Sequence, residues 1–128
     1  DVFILHGFAE NPLELVNCLD VCVHASVVPE PFGLTVLDYM QLGKAIVAAR
    51  EGGIGEMLDE ESAILVDSGD AVALARGICR LLSAPELGSR LGVSARARTA
   101  ELFSPATFVE EINRQFQTVA CDKPGTSG

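Results

Sequence analysis

A chain of 128 residues with 48% apolar side chains suits a single domain with a buried core, which excludes disordered and collagen-like classes. Nine basic against eighteen acidic residues leave a formal charge of −9, a field that repels polyanions and argues against a nucleic-acid surface. No apolar run reaches the roughly 18 to 20 residues that span a bilayer.

Val2 to Leu5, apolar and partly β-branched, predicts a first strand. A loop at Gly7 follows, then a helix entered through Asn11 and Pro12, an N-cap residue with proline at the first helical position. Leu13, Val16 and Leu19 recur at helical spacing, and Val21 to Val23 predict a second, buried strand that runs into a loop at Ala25. Gly33 opens a helix with Leu34, Leu37, Met40 and Leu42 on its apolar face, and Gly43 ends it. Ala45 to Ala49 predict the third strand. A Gly52-Gly53 turn, a short helix around Gly55 to Leu58 and a fourth strand at Ala63 to Val66 complete the sheet-forming part.

After Asp70, a good N-cap, the chain turns helical, with Val72, Leu74, Ala75, Ile78, Leu81 and Leu82 on one face. Ser83 and Glu86 fit a capping box, with Pro85 in the first turn of a helix through Leu91. Ser104-Pro105 starts the last helix, to about Val119. The tail from Asp122 has nothing to bury, so residues 122–128 are expected to be disordered and residues 1–121 to form the domain.

Strands and helices alternating at this pace require crossover connections, because parallel neighbours cannot be joined by a hairpin. The expected class is α/β: a doubly wound, Rossmann-like parallel sheet followed by C-terminal helices. Cys18, Cys22, Cys79 and Cys121 lack the spacing of a disulfide framework. The run from Cys18 through Cys22 to His24 is the one grouping that resembles metal ligands, but buried thiols on a helix and a strand are the simpler reading, and no metal is assigned.

In an open parallel sheet, ligands bind beyond the carboxyl ends of the strands, where loops lead into helix N-termini. The loop ending in Glu30-Pro31-Phe32-Gly33 is such a place. Free amides of Gly33, Leu34 and Thr35 at the helix start favour a phosphate, and Gly33 lets the backbone come close to a ligand. Glu30 before the helix and Asp38 on its second turn offer carboxylates to hydroxyl groups, as a sugar or ribose would need. Acidic residues near a helix N-terminus also serve simply to complement its dipole. Gly52-Gly53 allows close approach to a ligand or is an ordinary turn. His6, His24 and Arg50 also lie near the ligand side. Neither histidine has a partner visible in the sequence, so both read as structural, while Arg50 and the later Arg90, Arg96 and Arg98 read as solvated.

The segment from Glu30 to Met40 resembles the acidic-x7-acidic motif of glycosyltransferase family 4 and related GT-B glycosyltransferases, the glycosyl transferases group 1. Gly7-Phe8, Leu19-Asp20-Val21, Gly43 to Ala48, Gly52-Gly53, Glu56, the helix after Asp70 and Leu102-Phe103-Ser104 fall in the order of that family's C-terminal domain, so the resemblance covers residues 1 to about 118. It implies a retaining glycosyltransferase that moves a hexosyl group from a nucleotide-sugar donor to an acceptor hydroxyl, typically without a metal or other cofactor. Glu30 becomes the expected catalytic-site carboxylate, contacting the donor sugar's hydroxyls. The backbone at Gly33, Leu34 and Thr35 would hold the diphosphate and Asp38 the ribose, with Phe32 and Gly53 completing the donor-binding set. A front-side mechanism, in which the departing phosphate oxygen helps deprotonate the acceptor, is usual for such enzymes.

Two positions depart from the family pattern. Asp38 stands where glutamate is usual, one methylene shorter, and Ala45 where proline is common. By the resemblance, an Arg and Lys pair that neutralises the diphosphate and an acceptor-binding N-terminal domain with its histidine would precede Asp1, so the chain is expected to be an incomplete donor domain and inactive alone. Sugar or lipid-linked acceptors would be met through that other domain. The expected location is cytoplasmic, with peripheral contact at the inner face of a membrane left open for the full-length protein. Two alternatives stand: a non-catalytic nucleotide- or sugar-binding or interaction module of the same fold, and a nucleotide-sugar epimerase relative.

Overall fold

Residues 46–49 are at most 3% exposed on both faces of their strand, the pattern of a central strand in a parallel sheet covered on two sides. The computed structural model describes residues 3–121. It contains three strands, β1 at Val21–His24, β2 at Ala45–Ala49 and β3 at Ile64–Val66, in the spatial order β1-β2-β3 with both pairings parallel. The helices are α1 (Pro12–Asn17), α2 (Leu34–Gln41), α3 (Ile54–Met57), α4 (Ala71–Ser83), α5 (Pro85–Leu102) and α6 (Pro105–Cys121).

Two cores follow from the alternation along β2. Ile46 and Ala48 face a cluster with Val36 and Met40 of α2, Ile54 and Met57 of α3, and Ala95 of α5. Val47 faces the other way, against Leu81 of α4 and Leu91 of α5, with Leu74 and Ile78 packed around them. Helices cover both faces, as the doubly wound class requires. Burying each of these larger aliphatic side chains contributes about 1.5 to 3 kcal/mol.

Among the described residues the first predicted strand does not form. Phe3, Ile4 and Leu5 are 88%, 74% and 87% exposed in coil, while Val2 lies outside the described residues. An apolar run forms a strand only where a neighbour completes its ladder, and among the described residues β1 pairs with β2 alone.

The boundary between α4 and α5 also differs from the capping-box reading. Ser83 is the last residue of α4, and Ala84, alone between the helices, occupies the N-cap of α5 without a side-chain hydrogen bond. Still inside a helix, Ser83 lacks the extended backbone that lets a hydroxyl reach back to the next helix. That helix continues past Leu91 to Leu102, because Gly92 does not stop it but lets it approach the chain beneath: a Cβ there would collide with the carbonyl oxygen of Gly43.

Smaller expectations shift as well. Val72 and Leu82 are exposed at 60% and 57%, which narrows the buried stripe of α4. Asn11 makes no capping bond, and its amide donates instead to Glu14. Cys18 is exposed at the end of α1, with its thiol donating to the Glu14 carbonyl, whereas Cys22 is buried in β1. Asp70 caps α4 as expected, accepting from the amide of Ala73 at 2.8 Å. The tail from Asp122 lies outside the described residues.

Candidate functional site

β1 ends at His24, and the chain then crosses the carboxyl edge of the sheet to enter α2. Gly33 is the N-cap of α2 with φ +49°, in the left-handed region that suits glycine. A side chain there would also strike Ile54 Cδ1, so the residue is confined by both backbone and packing. No side chain caps α2. Its first intrahelical bonds run from the amides of Val36 and Leu37 to the Gly33 carbonyl, which leaves the amides of Leu34 and Thr35 without an acceptor inside the helix.

Glu30 is fixed from two directions. Its carbonyl accepts from the amide of Gly53 at 2.9 Å, and its carboxylate Oε1 lies 3.3 Å from His24 Nε2. The other oxygen, Oε2, sits over Gly33, 3.8 Å from where a Cβ of that residue would be. The Glu30 side chain is 43% exposed, against 11% for His24, so the carboxylate faces outward from a largely buried imidazole. His24 Nδ1 is buried with no hydrogen-bond partner.

The Gly52-Gly53 turn explains how two loops share this space. Gly52 adopts φ +53°, and a Cβ there would overlap the Glu30 backbone, while one on Gly53 would overlap the Pro31 carbonyl. These glycines therefore admit the chain at Glu30 and Pro31 as well as forming the turn. Behind them, Arg98 of α5 donates to the carbonyls of Glu56 at 3.1 Å and Met57 at 2.7 Å and pairs with Asp59 at 2.9 Å. It is thus the anchor of α3 and not a solvated charge. Arg50 forms an ion pair with Glu60 and is half exposed.

The remaining expected residues spread around this centre. Leu34 and Thr35 are exposed on the first turn of α2, and Asp38 is half-buried on the second. The Phe32 ring meets Phe103 edge-on at a centroid distance of 5.6 Å, which ties the loop to the end of α5. His6 lies in the exposed N-terminal coil, apart from the paired His24 and Glu30. His24 had no visible partner in the sequence; the pairing arises because the loop folds back across six residues, and a histidine ending the strand six residues before the loop's one carboxylate, Glu30, is the signal for it.

Electrostatics near the sheet follow burial. Loss of hydration pushes the Cys22 thiol up to about 11, with Lys44 opposing slightly. Burial, then the neighbouring Cys22 and Asp38, raise Tyr39. Asp59 is held below the usual carboxylate range chiefly by the Ser62 hydroxyl, with Arg98 adding to it. Among the described residues no three His, Cys, Asp or Glu side chains gather as metal ligands.

A parallel sheet with uncapped amides and an anchored carboxylate at its carboxyl edge is the architecture of Rossmann-like ligand-binding domains. Residues 1–84 match the glycosyl transferases group 1, and the chain belongs to that family. Its fold is that of part of the C-terminal domain of a GT-B glycosyltransferase. It is 28% identical to the human alpha-1,3/1,6-mannosyltransferase ALG2 over 88% of this chain and 27% of that protein. It is 30% identical to the N-acetyl-alpha-D-glucosaminyl L-malate synthase of Bacillus anthracis over 95% of this chain and 31% of that one. Among solved structures, Alr3699/HepE of Anabaena in complex with UDP superposes with a TM-score of 0.82 at 26% identity, covering 88% of this chain and 31% of the other. The same protein has been solved with UDP-glucose. The chain spans about a third of the length of these relatives. No described helix is long and apolar enough to cross a membrane.

Proposed function

We propose that the chain is the donor-binding part of a retaining, metal-independent glycosyltransferase that moves a hexosyl group from a nucleotide sugar to an acceptor hydroxyl. The observation that carries this reading is the placing of Glu30 Oε2 beside Gly33 at the uncapped start of α2. Helix amides attract phosphate, and an outward carboxylate beside them accepts hydrogen bonds from sugar hydroxyls. The UDP and UDP-glucose complexes of the Anabaena relative support a nucleotide-sugar ligand.

In this reading Glu30 orients the donor sugar, the amides of Leu34 and Thr35 with Gly33 hold the diphosphate, and Asp38 holds the ribose. Phe32 and Gly53 fix the loop that presents Glu30. The departing phosphate oxygen takes the acceptor proton on the face from which the acceptor attacks, which retains the anomeric configuration.

The chain holds half of such a site. In the family the resemblance implies, a basic pair outside residues 1–128 also meets the diphosphate; two such charge-assisted contacts of about 1.5 to 3 kcal/mol each would account for about 10² to 10⁴ in affinity that this chain lacks. Titration of the chain with UDP-glucose is expected to give millimolar binding and no transfer. Saturable micromolar binding contradicts the half-site reading.

A further inference from the structure

We propose that His24 is a positioning residue for Glu30: its Nε2–H holds carboxylate oxygen Oε1 and thereby turns Oε2 toward the start of α2. A carboxylate oxygen can only accept, so the ring nitrogen facing it carries the hydrogen. Nε2 lies 3.3 Å from Oε1, and Nδ1, the other ring nitrogen, is buried with no partner. Glu30 is therefore the group that fixes the tautomer. The ring itself is held at the end of β1, where His24 pairs in register with Ala48 of the central strand, and it is 11% exposed.

The two carboxylate oxygens are thereby made unequal. Oε1 is tied to a buried imidazole, while Oε2 stands over Gly33 beside the uncapped amides. A free glutamate in a loop would sample several rotamers and lose that freedom on binding a sugar; the histidine contact removes part of this loss beforehand. The Gly53 amide fixes the backbone of Glu30, and His24 fixes its head. The consequence for donor binding rests on the proposed function, but the orientation of the carboxylate does not.

Two measurements on the chain separate these levels. Long-range ¹H–¹⁵N NMR is expected to show His24 in the Nε2–H tautomer, and Glu30→Ala to remove that preference; a Nδ1–H tautomer, or a tautomer indifferent to Glu30→Ala, overturns the positioning role. In NMR titrations, His24→Leu is expected to weaken UDP-glucose roughly three- to tenfold while leaving UDP unchanged, and His24→Gln, which keeps a donor at similar reach, to restore most of the loss. Equal weakening of both ligands, or no rescue by glutamine in a folded variant, marks a merely structural histidine and contradicts the proposal. If neither ligand perturbs the unaltered chain, the proposed function fails, and the tautomer result alone decides the role of His24.

Discussion

The amide of Gly53 donates to the carbonyl of Glu30 at 2.9 Å, so the loop before α2 and the turn before α3 are stitched together directly under the exposed carboxylate. Gly53→Ala is expected to disturb this junction, since a Cβ would overlap the Pro31 carbonyl although the backbone conformation of Gly53 is ordinary. Overpacking of this kind costs about 1 to 3 kcal/mol. Thermal unfolding followed by circular dichroism is expected to fall by several degrees; an unchanged midpoint would show that the loops part without cost.

Arg98 satisfies carbonyls at the end of α3 from a helix some forty residues away in sequence. Arg98→Ala leaves those carbonyls and Asp59 without their partner and is expected to destabilise the fold by about 1 to 3 kcal/mol. Urea unfolding measures it. Arg90→Ala, on an exposed part of α5, is the control and is expected to stay within about 0.5 kcal/mol of the parent.

The same cluster makes stability depend on pH in a definite direction. Because the Ser62 hydroxyl, and then Arg98, hold Asp59 below its ordinary carboxylate value, the folded state binds its proton less readily than the unfolded one. The stabilisation is present above the unfolded value near 4 and is lost as pH falls through the lower folded value. Asp59→Asn should flatten the acid limb of a stability–pH curve. An unaltered limb would show that Asp59 contributes nothing to it.

Cys22 acts at the alkaline end. With the folded thiol raised to about 11 by burial, ionisation favours the unfolded chain, so stability is retained below the unfolded value near 9 and declines as pH rises toward 11. Alkylation at pH 8 followed by peptide mass spectrometry is expected to label exposed Cys18 and Cys79 quickly and Cys22 slowly. Comparable labelling of Cys22 would contradict its burial.

Periodicity in the sequence located β1, β2, β3 and the helices around them, because burial leaves apolar strands and a core stripe on the helices packed against the sheet, α2, α4 and α5. It failed where a neighbour decides the outcome. Among the described residues the run at Phe3 to Leu5 has strand-like residues but no partner, and the helix expected to end at Leu91 runs on to Leu102, with Gly92 packed closely on Gly43. In the candidate site, the uncapped α2 start and Glu30 were legible from residue types alone. The His24 pairing and the Arg98 anchor were not, since both depend on the path of a loop or on contacts distant along the chain.

Phosphate and sugar are proposed to bind at the start of α2 beside Glu30. The most direct measurement is an NMR titration of the ¹⁵N-labelled chain with UDP-glucose, following amide shifts residue by residue. The expected result is a weak, millimolar-range response centred on the amides of Gly33, Leu34 and Thr35 and diminished by Glu30→Ala. A response centred elsewhere in the fold, or none at these three amides at saturating ligand, contradicts the claim.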